Sequence, residues 1–208
     1  MFVKTDRLVS EYPGAVPNAT RRSERSRRAI LTAALDLVEE VGYAKTSVEG
    51  IAARAGVGKQ TIYRWWPSKG AVLLDALLLL SEGDGGVEPL PDSGDLAADL
   101  KAVLRATVEE LRDPRYDAPM RALATEILHD PALHARWSEW IDAPLTRIRE
   151  ERLRSAQQQG ELPEELDLAL AIDLIWGPVF HRWLQSEGPL TAEFADQVVA
   201  SAMQGLRG

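Results

Sequence analysis

Apolar residues recur at three- and four-residue steps along most of this chain, and the rhythm breaks where glycine, proline or acids cluster. Ile30, Ala33, Ala34, Leu37, Val38 and Val41 form one stripe, the mark of an amphipathic helix, and Gly42 ends it. Thr46 followed three residues later by Glu49 has capping-box spacing and predicts a second helix. Val48, Ile51, Ala52 and Ala55 make its buried face, and Ala55-Gly56-Val57-Gly58 is a tight break. A short polar helix over 59–66 follows, stopped by Pro67; Ser68 caps a fourth over about 69–81, with Val72, Leu73, Ala76, Leu77 and Leu80 inward. Residues 82–94, rich in Gly, Pro and acids, read as a linker. Beyond it the period predicts helices near 95–112, 116–129, 131–158, 166–186 and 191–206, with Pro144 expected to kink or divide the third. No alternating run predicts a strand.

The expected fold class is therefore all-α: an N-terminal three-helix helix-turn-helix domain over 24–84, joined to a C-terminal helical bundle over 90–208. Residues 1–23 carry Pro13 and Pro17 and no sustained period, and are expected to form a flexible basic arm.

Charge changes the picture. The net charge is −8, which alone argues against a polyanion as partner. Yet residues 1–80 hold 12 Lys+Arg against 8 Asp+Glu, while residues 81–208 hold 12 against 24. Five arginines crowd into 21–28. A basic head on an acidic body points to a head that meets nucleic acid. The absence of cysteine removes disulfides and thiolate chemistry. The longest apolar stretches, 71–80 and 169–180, are too short to span a bilayer and are interrupted by Asp75 and Asp173. With no signal-peptide core in the first 20 residues, the expectation is a cytoplasmic protein with no membrane partner.

Two helices joined by a Gly-containing turn, the second short and polar, are the helix-turn-helix arrangement. The second helix is free to lie in the major groove and present its N-terminal residues to base edges. Lys59, Gln60 and Thr61 stand there, able to donate to guanine, pair with adenine and touch the thymine methyl. Tyr63, Arg64 and Lys69 suit phosphate oxygens, and Arg25 and Arg28 suit phosphates or a minor groove. Other chemistry fits poorly. The run from Gly56 to Thr61 lacks the spacing of a phosphate-binding loop, since Ala53 stands where its first glycine belongs and Gln60 where Ser or Thr belongs. His129 and His134 are five apart across Pro131, so no metal site is expected. No nucleophile or acid–base motif appears, so neither enzymatic activity nor a cofactor is expected.

The stretch from Ser47 to Lys69 resembles the DNA-binding signature of TetR-type bacterial regulators, and the preceding helix from Ile30 to Gly42 fits the same family. The resemblance is strong over about 25–80. It implies that Thr46, Ser47, Tyr63 and Lys69 hold the DNA backbone while Lys59, Gln60 and Thr61 face bases. Two positions depart: Gly58 stands where the family usually has Ser, and Trp66 where it has Phe. The C-terminal part resembles the family more weakly, through the Gln159-Gly160-Glu161-Leu162 turn and the segment from Asp173 to Trp183. What the family implies there is a homodimer through the last two helices and a pocket for a small-molecule effector. On that reading Leu174, Ile175, Val179, Val198, Val199 and Leu206 are interface candidates, and Trp137, Trp140, Trp176, Phe180 and His181 are pocket candidates. The expected partners are double-stranded operator DNA, a second copy of the chain and an unknown small molecule, in a repressor released by its effector. The rival is a helix-turn-helix protein that recruits a protein partner and has no ligand.

Overall fold

A computed structural model of the chain describes residues 17–83 and 89–206. The start of the expected arm, residues 1–16, and the middle of the expected linker, residues 84–88, lie outside that range. The regular elements among the described residues are all helical, with no strand. In chain order the helices are α1 (Pro17–Val41), α2 (Val48–Ala55), α3 (Lys59–Tyr63), α4 (Lys69–Gly83), α5 (Leu96–Arg112), α6 (Pro114–Glu126), α7 (Pro131–Trp137), α8 (Ala143–Gln158), α9 (Leu168–Gln185) and α10 (Ala192–Leu206). A 3₁₀ turn over Tyr43–Lys45 lies between α1 and α2, and a π turn over Ser138–Asp142 between α7 and α8.

One expectation shifts, and the interruption expected at Pro144 is found. α1 begins at Pro17, thirteen residues before the predicted stripe, so the arginine cluster is helical rather than part of an arm. Proline suits a first helical position, where its missing N–H has no intrahelical partner anyway. The predicted helix over 131–158 is two helices, and the division falls just before Pro144, which takes the second position of α8. The π turn that runs directly into it accommodates the ring, which an unbroken α-helix would bring against the carbonyl four residues back.

The chain divides into two compact units, and the division does not follow the sequence linker alone. One unit holds α1–α4 together with α6 and α7. Its core is Ile30, Leu31, Val38, Ile51, Ile62, Leu73, Leu74, Leu77 and Leu123, all buried. α1 packs on α2, α4 and α6, and α4 on α6 and α7. The α4–α7 crossing is close: a Cβ at Gly70 would stand 2.7 Å from the Leu133 side-chain methyl, which would have to shift to admit it.

The other unit holds α5, α8, α9 and α10, with α5 against α10 and α9, α9 against α10, and α8 against α9. Leu100, Leu104, Val108, Leu153, Ile175, Val179 and Val199 fill its centre. A buried ionic cluster fastens its ends. Arg152 on α8 donates to the Asp99 carboxylate (2.9 Å) and to the Pro91 carbonyl (2.8 Å), and lies 3.4 Å from Glu161. Glu161 in turn accepts from the first N–H of α5, at Leu96 (2.7 Å). This gives the Gln159–Leu162 turn a physical purpose: Gly160 takes a left-handed φ of 77°, so the chain reverses and delivers a carboxylate to a helix N-terminus. Burial raises the pKa of Asp99, but donors from Ser93 and Arg152 outweigh it and hold the carboxyl below its usual range.

Candidate nucleic-acid interface

The helix-turn-helix is α2 and α3. Ser47 opens α2 and its hydroxyl accepts from the Gly50 N–H (3.0 Å). Gly56 closes it in the left-handed region, φ 66°, where a side chain would be strained. α3 then starts at Lys59 behind Gly58, which offers no side-chain cap. Ile62 is fully buried and fixes the inner face of α3, while Lys59, Gln60, Tyr63 and Arg64 are exposed and Thr61 half-buried. Lys59 lies 3.5 Å from Glu49, with both side chains exposed, a pair water can readily separate.

Two residues expected at the DNA backbone are engaged inside the protein. Thr46 is 4% exposed, and its hydroxyl donates to the Gly42 carbonyl (3.0 Å) rather than capping α2. The capping-box reading therefore falls by one residue, because Ser47 takes the cap position and Glu49 turns outward toward Lys59. Lys69 donates to the carbonyls of Tyr43 (2.8 Å) and Thr46 (2.9 Å), with its ammonium 3.7 Å from the centre of the Tyr43 ring. Burial lowers its pKa, and the neighbouring Glu126 carboxylate partly restores it. Lys69 thus clamps the turn between α1 and α2 onto the start of α4. Arg25 and Arg28 are exposed on α1 and, with Thr32, Asp36 and Arg54, line an open basic groove of about 370 Å³. Arg54, not singled out from sequence, is aimed by a two-pronged contact with Glu40 (2.6 Å each).

A further group supports this surface from behind. Asp75 on α4 is 3% exposed. It accepts from the Trp66 indole N–H (2.7 Å) and from Arg136 of α7 (2.6 Å), and lies 3.5 Å from Arg27 of α1. The tryptophan after α3 is therefore a polar tie as well as a packing residue. Its sequence signal was a carboxylate inside an apolar stripe together with an indole where the family has phenyl.

The comparisons with known proteins bear on this geometry. The profile of "Bacterial regulatory proteins, tetR family" matches residues 30–76, from within α1 to within α4. That of "Tetracyclin repressor-like, C-terminal domain" matches residues 90–202. This chain belongs to the TetR family. Among its curated relatives is the HTH-type transcriptional regulator YdeS of Bacillus subtilis, 33% identical over 187 residues, covering 89% of this chain and 92% of the relative. Another is the HTH-type transcriptional regulator EthR of Mycolicibacterium smegmatis, 32% identical, with 88% of each chain covered. The crystal structure of the TetR family transcription regulator SCO0332 superimposes with a TM-score of 0.67 at 31% identity, covering 87% of this chain and 98% of that one. The chain is thus a helix-turn-helix, DNA-binding transcriptional regulator; its family and relatives are regulators rather than enzymes. Among the described residues no helix is long and apolar enough to cross a membrane.

In this TetR-family regulator the pocket candidates do not gather as one set. Trp137 belongs to the unit of α1–α4, α6 and α7, and the other four to the second unit. Trp176 is buried beneath the Arg149 guanidinium, 4.7 Å away. Phe180 meets Trp183 edge-on at 6.5 Å, and Trp140 is half-buried. His181 is exposed and 3.5 Å from Glu187. Neither His181 nor any of the four tryptophan and phenylalanine candidates lines the open groove of this unit.

The interface candidates need a sharper correction. Ile175, Val179, Val199 and Leu206 are buried within the protomer, closed among α5, α9 and α10, and are not available to a partner. Leu174 is 48% exposed and Leu170 54%. Leu174 and Val198 border an apolar groove of about 470 Å³ along α9 and α10, with Pro178, Phe194 and Ala202. Both faces of α9 are apolar, so periodicity alone could not tell the core face from the outward one.

Proposed function

We propose that this TetR-family regulator is a repressor that binds a palindromic operator as a homodimer in the cytoplasm and releases it when a small-molecule effector occupies residues 90–208. The observation that carries the reading is α3: Lys59, Gln60 and Thr61 stand at its open end, while Ile62 and the Trp66–Asp75 bond hold its back. A polar helix end on a rigid support is suited to base-edge readout in a major groove. Tyr63, Arg64, Ser47, Arg25 and Arg28 lie exposed and are assigned to phosphates. The repressor sign is supported by a relative named DNA-binding transcriptional repressor TetR of Mycobacteroides abscessus, 30% identical over 86% of this chain. The exposed Leu170–Leu174 stripe and its groove support a two-fold interface, since an apolar strip of this kind is costly to leave in water.

The test is selection of binding sites from random oligonucleotides with the purified full chain. The expected product is a two-fold symmetric site with half-sites about one helical turn apart, or a multiple of it. Gln60→Ala should relax preference at one symmetric pair of positions, by about 1–3 kcal/mol, and leave the rest of the site intact. An asymmetric site, or a selected site and affinity unchanged by Gln60→Ala, rejects this assignment.

A further inference from the structure

From residue 45 to residue 69 the helix-turn-helix carries five Lys and Arg and a single carboxylate, Glu49. A surface that meets a polyanion gains from each cation and loses from an acid, whatever the base sequence. Glu49 is nonetheless left on that surface. Val48, Ile51 and Ala52 turn the inner face of α2 into the core, and the Glu49 side chain stays 64% exposed. The cation it approaches is Lys59, at 3.5 Å; Arg54, the cation of α2 itself, is taken up by Glu40 instead. Lys59 opens α3, whose back is held by Ile62 and whose first turn presents Gln60 and Thr61. The lone acid therefore stands beside the first residue of the base-reading helix. The positive end of α2 favours an acid anywhere in its first turn and does not select the one beside Lys59. An exposed ion pair of this kind contributes little in water, so the return on keeping an acid here has to come from the DNA.

We propose that Glu49 is a specificity-determining residue and reads one G·C pair of the operator jointly with Lys59: Lys59 donates to N7 and O6 of the guanine, and Glu49 accepts from the N4 amino group of its cytosine. The proposal rests on the base-reading assignment of α3 given above. On the major-groove edge of that pair, O6 and N4 are hydrogen-bonded to each other and so lie about 2.9 Å apart. The protein offers a donor and an acceptor 3.5 Å apart, in the complementary order. From guanine to cytosine the edge runs acceptor, acceptor, donor. The reversed pair sets the carboxylate against O6 and N7 and the ammonium against the amino group. A·T sets the carboxylate against O4 of thymine. T·A has the right central order, but it puts the thymine methyl beside the ammonium and N7 of adenine beside the carboxylate. One pair in one orientation satisfies both side chains, and every other leaves an acid facing an acceptor.

The test is selection from random oligonucleotides with the full-length protein and with Glu49→Ala, Glu49→Gln, Lys59→Ala and Gln60→Ala. Fluorescence anisotropy then gives the affinity for the selected site, for that site with each base pair exchanged, and for an unrelated duplex. The unaltered protein should require G·C at one symmetric pair of positions. Glu49→Ala should weaken that requirement by about 5–50-fold and at the same time tighten binding to the unrelated duplex, because an acid has left a surface that faces phosphates. Glu49→Gln keeps an acceptor without the charge; it should tighten binding to the unrelated duplex in the same way but retain part of the G·C preference. Lys59→Ala should relax the same position. A selected site with no required G·C overturns the proposal using the unaltered protein alone, so a variant that failed to fold would not protect it. Glu49→Ala that strengthens binding to every duplex by one common factor, with base preferences unchanged, overturns it as well: Glu49 would then be a solvated charge. Relaxation at a position other than the one relaxed by Lys59→Ala overturns the joint reading. Gln60→Ala separates the two levels. A shift with Gln60→Ala and none with Glu49→Ala overturns the role of Glu49 and leaves α3 as the reading helix, whereas no shift with any variant overturns both.

Discussion

Asp75 offers the most exacting test of how the DNA-binding surface is held. Replacing it with Ala removes three contacts at once. The Trp66 N–H, on a buried side chain, loses its acceptor at 2.7 Å; an orphaned buried donor costs about 1–3 kcal/mol. Arg136 and Arg27 lose a carboxylate at 2.6 and 3.5 Å, but both keep access to water, so each pair contributes only about 0.2–1 kcal/mol. The expected loss is therefore roughly 2–4 kcal/mol, dominated by the indole. For a chain of this length each kcal/mol lowers the melting temperature by about 2–4 °C, so the midpoint should fall by roughly 5–15 °C.

The indole share of this loss is isolated by a double-mutant cycle. Trp66→Phe alone removes the donor and part of the ring. Once Asp75 is Ala, there is no acceptor left, so losing the donor should no longer cost anything further. The two changes should then couple by about 1–3 kcal/mol, measured by urea unfolding followed by circular dichroism. Additivity within about 0.5 kcal/mol would refute the reasoning: Trp66 would then be a packing residue only, and the geometry of the bond would carry no weight.

Two further outcomes follow from the second unit. Leu174→Glu places a charge on the exposed α9 stripe without touching the protomer core, so sedimentation should shift from dimer toward monomer and operator affinity should fall with it, while an unaltered dimer would move the interface elsewhere. The Arg152 cluster predicts acid sensitivity of definite sign. The Asp99 carboxyl is held below its usual value of 3.8, so its contribution is fully present above that pH and is lost as pH drops through the lower folded value. Asp99→Asn should lose less melting temperature than the unaltered protein on acidification through that window, and an identical slope would remove Asp99 as a source.

Much of the helix layout was legible because it depends on local chemistry: a 3.6-residue stripe, a glycine stop, a proline early in a helix. α5 and α10 match their expected spans to within a residue or so. The helix-turn-helix was legible for the same reason, since Gly56, Ile62 and the polar run between them are near neighbours in sequence. What escaped prediction depends on which neighbour the fold selects. Thr46 and Ser47 are adjacent hydroxyl residues with equal capping chemistry, and only the path of the chain out of Gly42 assigns the cap to Ser47 and buries Thr46. Leu174 and Ile175 are adjacent apolar residues on a helix apolar on two sides, and only α5 and α10 decide which one is covered. Lys69 reads as a phosphate ligand until the Tyr43 carbonyl, 26 residues earlier in the chain, is found against its ammonium.

The same contrast shows where sequence could have been pressed further. A charge inside an apolar stripe is costly unless it has a partner, so Asp75 among leucines already implied a buried donor somewhere. An indole in place of a phenyl introduces a donor that must be satisfied if the ring is buried. Each oddity alone names no partner, but the two are nine residues apart, across the turn that ends at Lys69, and each meets the other's need.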